Sequence, residues 1–431
     1  MHLKEKLNIA FEQHSSDLSF IDKRKENFSH FNEIDFPTIK HEEWKYTNLQ
    51  PLLKQEFDLE TDLNDINHNQ IKEYILNESD TYLLVFVNGE FNIELSRFDS
   101  KNAHLSSLKN VSSDYKSLIE KYWNSCLPKN GDAFVSLNNA LAQEGAFVYI
   151  PKGVVLDKPI QIIYASTGSK PMFLQTRALI IAEENSQVQI TERHQNFNDN
   201  EVFTNALSEI IVHQNAIVDF YKIQNDNKKC SIVDNTWINQ SENCNCTVDT
   251  FSFGGKLIRN NLTFNLKGEH SESNMRGITL IGQDQLVDHH TLADHVVPNC
   301  QSNELYKGIF DLNSKGVFNG KVMVHPHAQK TNAFQSNNNL LLTDDATIDT
   351  KPQLEIYADD VACSHGCTVG QLDDEALFYL RSRGIPKKEA QAMLMYAFAN
   401  DVLNNVKIEE LKKKLNLIIA EKIGVNLDIE L

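Results

Sequence analysis

Glycine is almost missing from the first part of this 431-residue chain: residues 1–130 hold only Gly89, while residues 131–370 hold 14 of the 17. Helices disfavour glycine and tight turns recruit it, so the imbalance separates two kinds of structure. Cysteine is scarce, and its count of seven is odd, which argues against a disulfide scaffold and for a reducing compartment. No apolar run approaches the ~20 residues of a membrane helix, so no spanning segment is expected. The opening Met1-His2-Leu3-Lys4-Glu5-Lys6 leads into polar sequence without an apolar signal core, and a cytoplasmic protein is expected. Basic residues are outnumbered 41 to 59, a net charge of −18, which disfavours a general nucleic-acid binder. Also missing are C-x-x-C, H-E-x-x-H, G-x-S-x-G, G-x-x-x-x-G-K-[ST] and G-x-G-x-x-G. Gly254-Gly255-Lys256 lacks the remainder of a phosphate loop, so nucleotide chemistry would have to come from a partner.

What is present divides into three parts, with boundaries at 1–140, 141–370 and 371–431. The first is α+β. Leu3, Leu7, Ala10 and Phe11 have helical spacing, and Asn88-Gly89 between Tyr82–Val87 and Phe91–Leu95 reads as a hairpin. The second is a succession of short β-rich runs bounded by Gly, Asn, Asp or Ser. The polar corners Ser186, Asn215, Cys244, Glu269, Pro298 and Pro326 recur at intervals of 29, 29, 25, 29 and 28. Such a period favours a stacked solenoid over a β-sandwich, which gives similar strands without one. The last 61 residues are helical and nearly neutral. Gly384 and Pro386 mark a helix end and the start of the next helix. Ala390, Met393, Leu394, Ala397 and Phe398 then form one apolar stripe, and Ile408, Leu411, Leu415 and Ile418 another. These helices read equally as a cap on an open solenoid end or as a docking module.

The densest polar constellation is Asp359-Asp360-Val361-Ala362-Cys363-Ser364-His365-Gly366-Cys367. On a strand, Cys363, His365 and Cys367 share one face, and thiolate with imidazole suits zinc or iron–sulfur chemistry. Same-face neighbours lie about 6.5–7 Å apart, whereas ligands of one metal need donors within about 4 Å of each other. A straight strand therefore cannot supply all three to one ion. On spacing alone, packed or satisfied interior residues outweigh the ligand reading, which needs other strands or a second chain. Cys244, Cys246 and Cys300 read as reduced interior cysteines. His289 and His290 point oppositely if they lie on a strand, and His295, His325 and His327 read as polar residues near corners.

Asp349-Thr350-Lys351-Pro352-Gln353-Leu354-Glu355-Ile356-Tyr357-Ala358-Asp359-Asp360, running into Cys363-Ser364-His365-Gly366, resembles the SufB/SufD family of the SUF iron–sulfur cluster assembly system. So do His41-Glu42-Glu43-Trp44-Lys45-Tyr46-Thr47, Tyr306-Lys307-Gly308-Ile309, Asn337–Leu342 and Leu377–Ile385, in family order along nearly the whole chain. The Cys-Ser-His-Gly element is similar to the SufD branch more than to the SufB branch, and Cys367 departs from it where many relatives are expected to have a small residue. The resemblance implies a mainly β protein: a right-handed parallel β-helix with an N-terminal α+β segment and C-terminal helices. It implies a scaffold subunit and not an enzyme, pairing β-helix to β-helix with SufB, or with itself when isolated. A transient Fe–S cluster would form at that interface, with His365 as candidate ligand and Cys363 as its neighbour. It further implies that the SufC ATPase docks on the C-terminal helices. There Leu377, Phe378, Tyr379, Leu380, Arg381, Arg383, Gly384, Ile385 and Phe398 combine apolar anchors with guanidinium donors, a composition suited to an interface.

Two other functions compete. A β-helical carbohydrate lyase or hydrolase would want a secretion signal and clustered carboxylates. A structural adaptor would use Cys363 and His365 only for packing.

Overall fold

The computed structural model describes residues 3–14, 20–59, 66–128 and 131–425. From Ala146 to Gly370 the chain alternates between two parallel sheets, each strand pairing with the strand two places on. The result is a parallel β-solenoid of about eight turns, as the corner period predicts, and not a sandwich. In the first, ten-stranded sheet Asn245, Glu272, Gln301, Asn332 and Ala362 stack in register, at intervals of 27, 29, 31 and 30 residues. No described helix is long and apolar enough to cross a membrane.

The tight bend between the sheets needs one residue in the left-handed region. Asn185, Asn215, Asn243, His270, Asn299 and Lys330 occupy it, all with φ between 56° and 63°. Asparagine tolerates this conformation better than other side chains, which is why the corners show in the sequence. At these bends the N–H groups of Asn185, Asn215, Asn243 and Asn299 donate to a carbonyl of the following turn at 2.9–3.0 Å. The amide of Asn215 also reaches that of Asn185 at 2.9 Å. Five of the six polar corners read from the sequence coincide with or adjoin these residues; Pro326 falls four before Lys330.

Inside, side chains of equal register form columns. Ile190, Phe220, Val248 and Met275 belong to the main apolar core, along with Cys244, Cys246 and Cys300. A polar file runs lengthwise beside it. Lys222 Nζ lies 2.6 Å from Asp234 Oδ1 and 3.3 Å from Glu192 Oε1, all three fully buried. Further along, Gln224 donates to Asn260 at 2.7 Å, and Asn260 meets the His289 ring at 3.2 Å. Thr291 then donates to Glu304 at 2.5 Å.

The N-terminal segment is built onto the solenoid. Tyr82–Val87 extends the first sheet, turning through Asn88 (φ 52°) and Gly89 (φ 88°) into Glu90–Phe91 as the expected hairpin. His104–Ser107 pairs antiparallel with Ala146–Ile150 and ends the second sheet. Helices Leu3–His14, Ile21–Ile34 and Ala133–Leu141 bury Leu7, Phe31 and Phe134, and the short turn Glu42–Trp44 buries Trp44, in one cluster with Phe173 and Phe203 of the second sheet. Arg177 fastens this layer, contacting Glu209 at 2.5 Å and Asn124 at 3.0 Å with its guanidinium 3.7 Å from the Trp123 ring centroid.

Helices Lys387–Leu403 and Glu409–Ile423 lie along the outer face of the first sheet, where Met395, Ala399, Val402, Leu411 and Leu415 pack on Phe251, Phe253 and Ile278. They flank the solenoid and do not cap its end. The buried stripe of the first of these helices matches the expected one only in part: Ala390 is buried and Leu394 and Phe398 are half-buried, but Met393 is 49% exposed, Ala397 is exposed, and Met395, Ala399, Val402 and Leu403 pack on the sheet. That helix is apolar nearly all round, so spacing alone does not select the packed face.

Two outcomes follow. Arg177→Met leaves Glu209 buried without its partner, and chemical denaturation will show a loss of about 3–5 kcal/mol; an unchanged midpoint contradicts this role. Glu304 is pushed by burial from its ordinary 4.5 up to about 7. Folding therefore takes up a proton between those values, and this residue's contribution falls as pH rises through the window. Glu304→Gln will gain up to about 3 kcal/mol relative to the parent between pH 4.5 and pH 8, and parallel pH profiles of the two proteins would refute it.

Candidate functional site

The solenoid's two ends differ. At the first, Glu90–Phe91 and His104–Ser107 terminate the sheets. At the other, Thr347–Ile356 and Ala362–Gly370 are the last strands, and among the described residues none pairs beyond them. Both present an unpaired backbone edge, with Tyr357 62% and Val369 48% exposed nearby.

Cys363, His365 and Cys367 lie on Ala362–Gly370 in register with Ala333, Gln335 and Asn337. Those three partners are buried inward-facing residues of the preceding turn. The shared face expected from the i, i+2, i+4 spacing is thus the face directed at the solenoid interior, left uncovered because no further turn follows. Cys363 is half-buried against the core, and desolvation pushes its thiol up. Cys367 is exposed, its Sγ 3.1 Å from Thr350 Oγ1 and 3.7 Å from Asn337 Oδ1. His365 is exposed and receives no hydrogen bond among the described residues. Also among the described residues, no three His, Cys, Asp or Glu converge as a metal set. The chain supplies a row of donors, and one ion can take one or two of them.

The other candidates separate cleanly. Cys126, Cys230, Cys244, Cys246 and Cys300 are buried free thiols. His289 points inward to Thr279 at 3.0 Å and is pushed by burial to about 4. His290 points outward between Glu43 and Asp288, each at 3.1 Å. His295 is buried 2.8 Å from Ser302, and His325 pairs with Asp294 at 2.8 Å.

Helix Asp374–Ser382 follows the last strand and buries none of its side chains fully. Phe378 is 75% and Tyr379 57% exposed; Leu377, Leu380 and Ile385 are half-buried, and Arg381, Arg383 and Gly384 exposed. Arg383 bonds the Tyr379 hydroxyl at 3.2 Å, and Gly384, with φ 89°, ends the helix. Phe398 stands apart from this group, packed between helix and sheet with Lys307 4.3 Å from its ring centroid. Sequence reasoning missed the polar residues under the open end, Glu304 and Gln335. Their signal was a polar residue at the parity that carries apolar ones elsewhere on the same column.

Two family models match the chain: the SufBD protein N-terminal region over residues 2–162, and the SUF system FeS cluster assembly SufBD core domain over 164–398. The chain is 32% identical over 390 residues to the iron–sulfur cluster assembly protein SufD of Escherichia coli, covering 90% of this chain and 89% of that one. It is 30% identical over 417 residues to a SufBD family protein of Synechocystis, covering 94% and 92%. It is 28% identical over 332 residues to SufD of Bacillus subtilis, covering 75% and 74%. On matches that span almost its whole length, the chain belongs to the SufBD family of SUF iron–sulfur cluster assembly proteins.

Proposed function

We propose that this chain is a scaffold subunit whose open solenoid end pairs with the solenoid of SufB, and that a nascent Fe–S cluster is held across that junction as cargo. The observation that carries the reading is the uncovered last turn, which presents Cys363, His365 and Cys367 beside two unpaired strand edges. A strand edge is a template for another strand. A donor row too widely spaced for one ion becomes useful when a facing chain brings its own ligands. In this reading His365 supplies an imidazole to iron, with Cys363 as its neighbour. In the absence of SufB the same end accepts a second copy of this chain.

The exposed Phe378 and Tyr379, flanked by Arg381 and Arg383, support docking of the SufC ATPase on helix Asp374–Ser382, and ATP hydrolysis is assigned to that partner. Membership of an assembly family supports a scaffold and not a free-standing enzyme.

His365→Ala removes an exposed side chain that shows no hydrogen bond among the described residues. The melting temperature will stay within a few degrees and the complex will still assemble. Iron and sulfide analysis of the purified complex will nevertheless show most of the cluster lost, and full content would refute the ligand role. Docking is tested by point substitution, since deleting residues 371–431 would strip the helices that cover Phe251 and Phe253. Phe378→Ala with Tyr379→Ala will weaken SufC capture at least tenfold, as expected for aromatic anchors, with little change in stability. Undiminished capture would place the ATPase elsewhere.

A further inference from the structure

We infer that Gln335 is the positioning residue for His365: its buried carbonyl oxygen, unpartnered in this structure, accepts one ring N–H of His365 once the exposed imidazole turns toward it, and so fixes which imidazole nitrogen faces the neighbouring chain. The inference rests on His365 acting as a ligand.

Glu304, Gln335 and His365 are successive members of one inward column, joined in register. The Gln335 side chain has one end committed. Its Nε2 donates to Glu304 Oε2 at 2.7 Å, and Thr291 holds the other carboxyl oxygen at 2.5 Å. Glu304 Oε2 accepts whether or not the carboxyl carries a proton, because the proton has the Thr291 hydroxyl to go to. The amide nitrogen is therefore directed at Glu304, and the oxygen is the free end.

That oxygen is fully buried and has no hydrogen-bond partner. Such an acceptor is costly to leave empty. The fold also makes room for this side chain across the interior. A Cβ at Gly320 of the opposite sheet would lie 2.4 Å from Gln335 Nε2, so only glycine leaves the amide its place. A glycine clearing, a fixed amide nitrogen and an orphaned oxygen all sit on the rung beneath His365, on strands about 4.8 Å apart. Imidazole ligands commonly donate their second N–H to an oxygen that fixes their tautomer, and loss of that oxygen lowers metal affinity by 10–100-fold. His365 has no other acceptor among the described residues.

The test uses the full chain with 15N-labelled histidine rings, the His365 signals being those lost in His365→Ala. One tautomer is expected for the parent and for Gln335→Glu, which keeps an acceptor, and two exchanging tautomers for Gln335→Met. In the complex purified with the other SUF subunits, Gln335→Met will lose about tenfold in iron retained against a chelator, and Gln335→Glu will restore it. Two exchanging tautomers in the parent, or identical ring signals in the parent and Gln335→Met, overturn the inference. Should His365→Ala retain all its iron, the ligand reading fails while the tautomer result still stands. Should His365→Ala lose its iron while Gln335→Met keeps both iron and ring signals, the positioning role alone fails.

Discussion

Every turn of the solenoid satisfies the backbone of the turn before it, and everything else in the molecule follows from that stacking. Parallel pairing at about 4.8 Å forces residues of equal register into columns. The bend residues Asn185, Asn215, Asn243, His270, Asn299 and Lys330 must then line up as a row of left-handed corners. The same stacking makes the final turn incomplete: among the described residues, Thr347–Ile356 and Ala362–Gly370 pair with a strand on one side only. A chain built this way needs an edge cover at its last turn. The C-terminal helices do not provide it, because they are held on the outer face of the first sheet by Phe251, Phe253 and Ile278.

The stacking also explains why a row of chemical groups stands at that edge. Cys363, His365 and Cys367 continue columns whose earlier members are core residues such as Cys246, or buried polar residues such as Glu304 and Asn337. Were another turn stacked above them they would be interior residues. In the proposed function they form half of a site, since the geometry that denies them a common ion within one chain leaves them free to share one between two. In that reading packing and ligation are consecutive fates of the same columns, which is why spacing alone does not choose between them.

Much of this was legible in the residues. Asparagine at the corners, Asn88-Gly89 at the hairpin and the alternation around Cys363 each report a local backbone requirement that few side chains meet. Longer-range matters were not. The helix Lys387–Leu403 carries apolar residues around most of its circumference, so its packed face depends on the sheet it meets, and Met393 and Ala397 proved to be on the outer side. Nothing in the sequence joins Glu192, Lys222 and Asp234: register pairs Glu192 with Lys222 in one sheet, and Asp234 meets Lys222 from the opposite sheet. Gln335 was missed for the same reason, since its polar parity gains meaning only from what stands on the turns on either side of it.

The account turns on the last turn being the surface that a second solenoid covers. Amide hydrogen exchange on the chain, first diluted to a monomer and then in complex with SufB, measures this directly. The account predicts that Thr347–Ile356 and Ala362–Gly370 exchange readily alone and become protected on pairing, with little change in the earlier turns. Strands that stay open to exchange in the complex, while another face of the protein becomes protected, would contradict it.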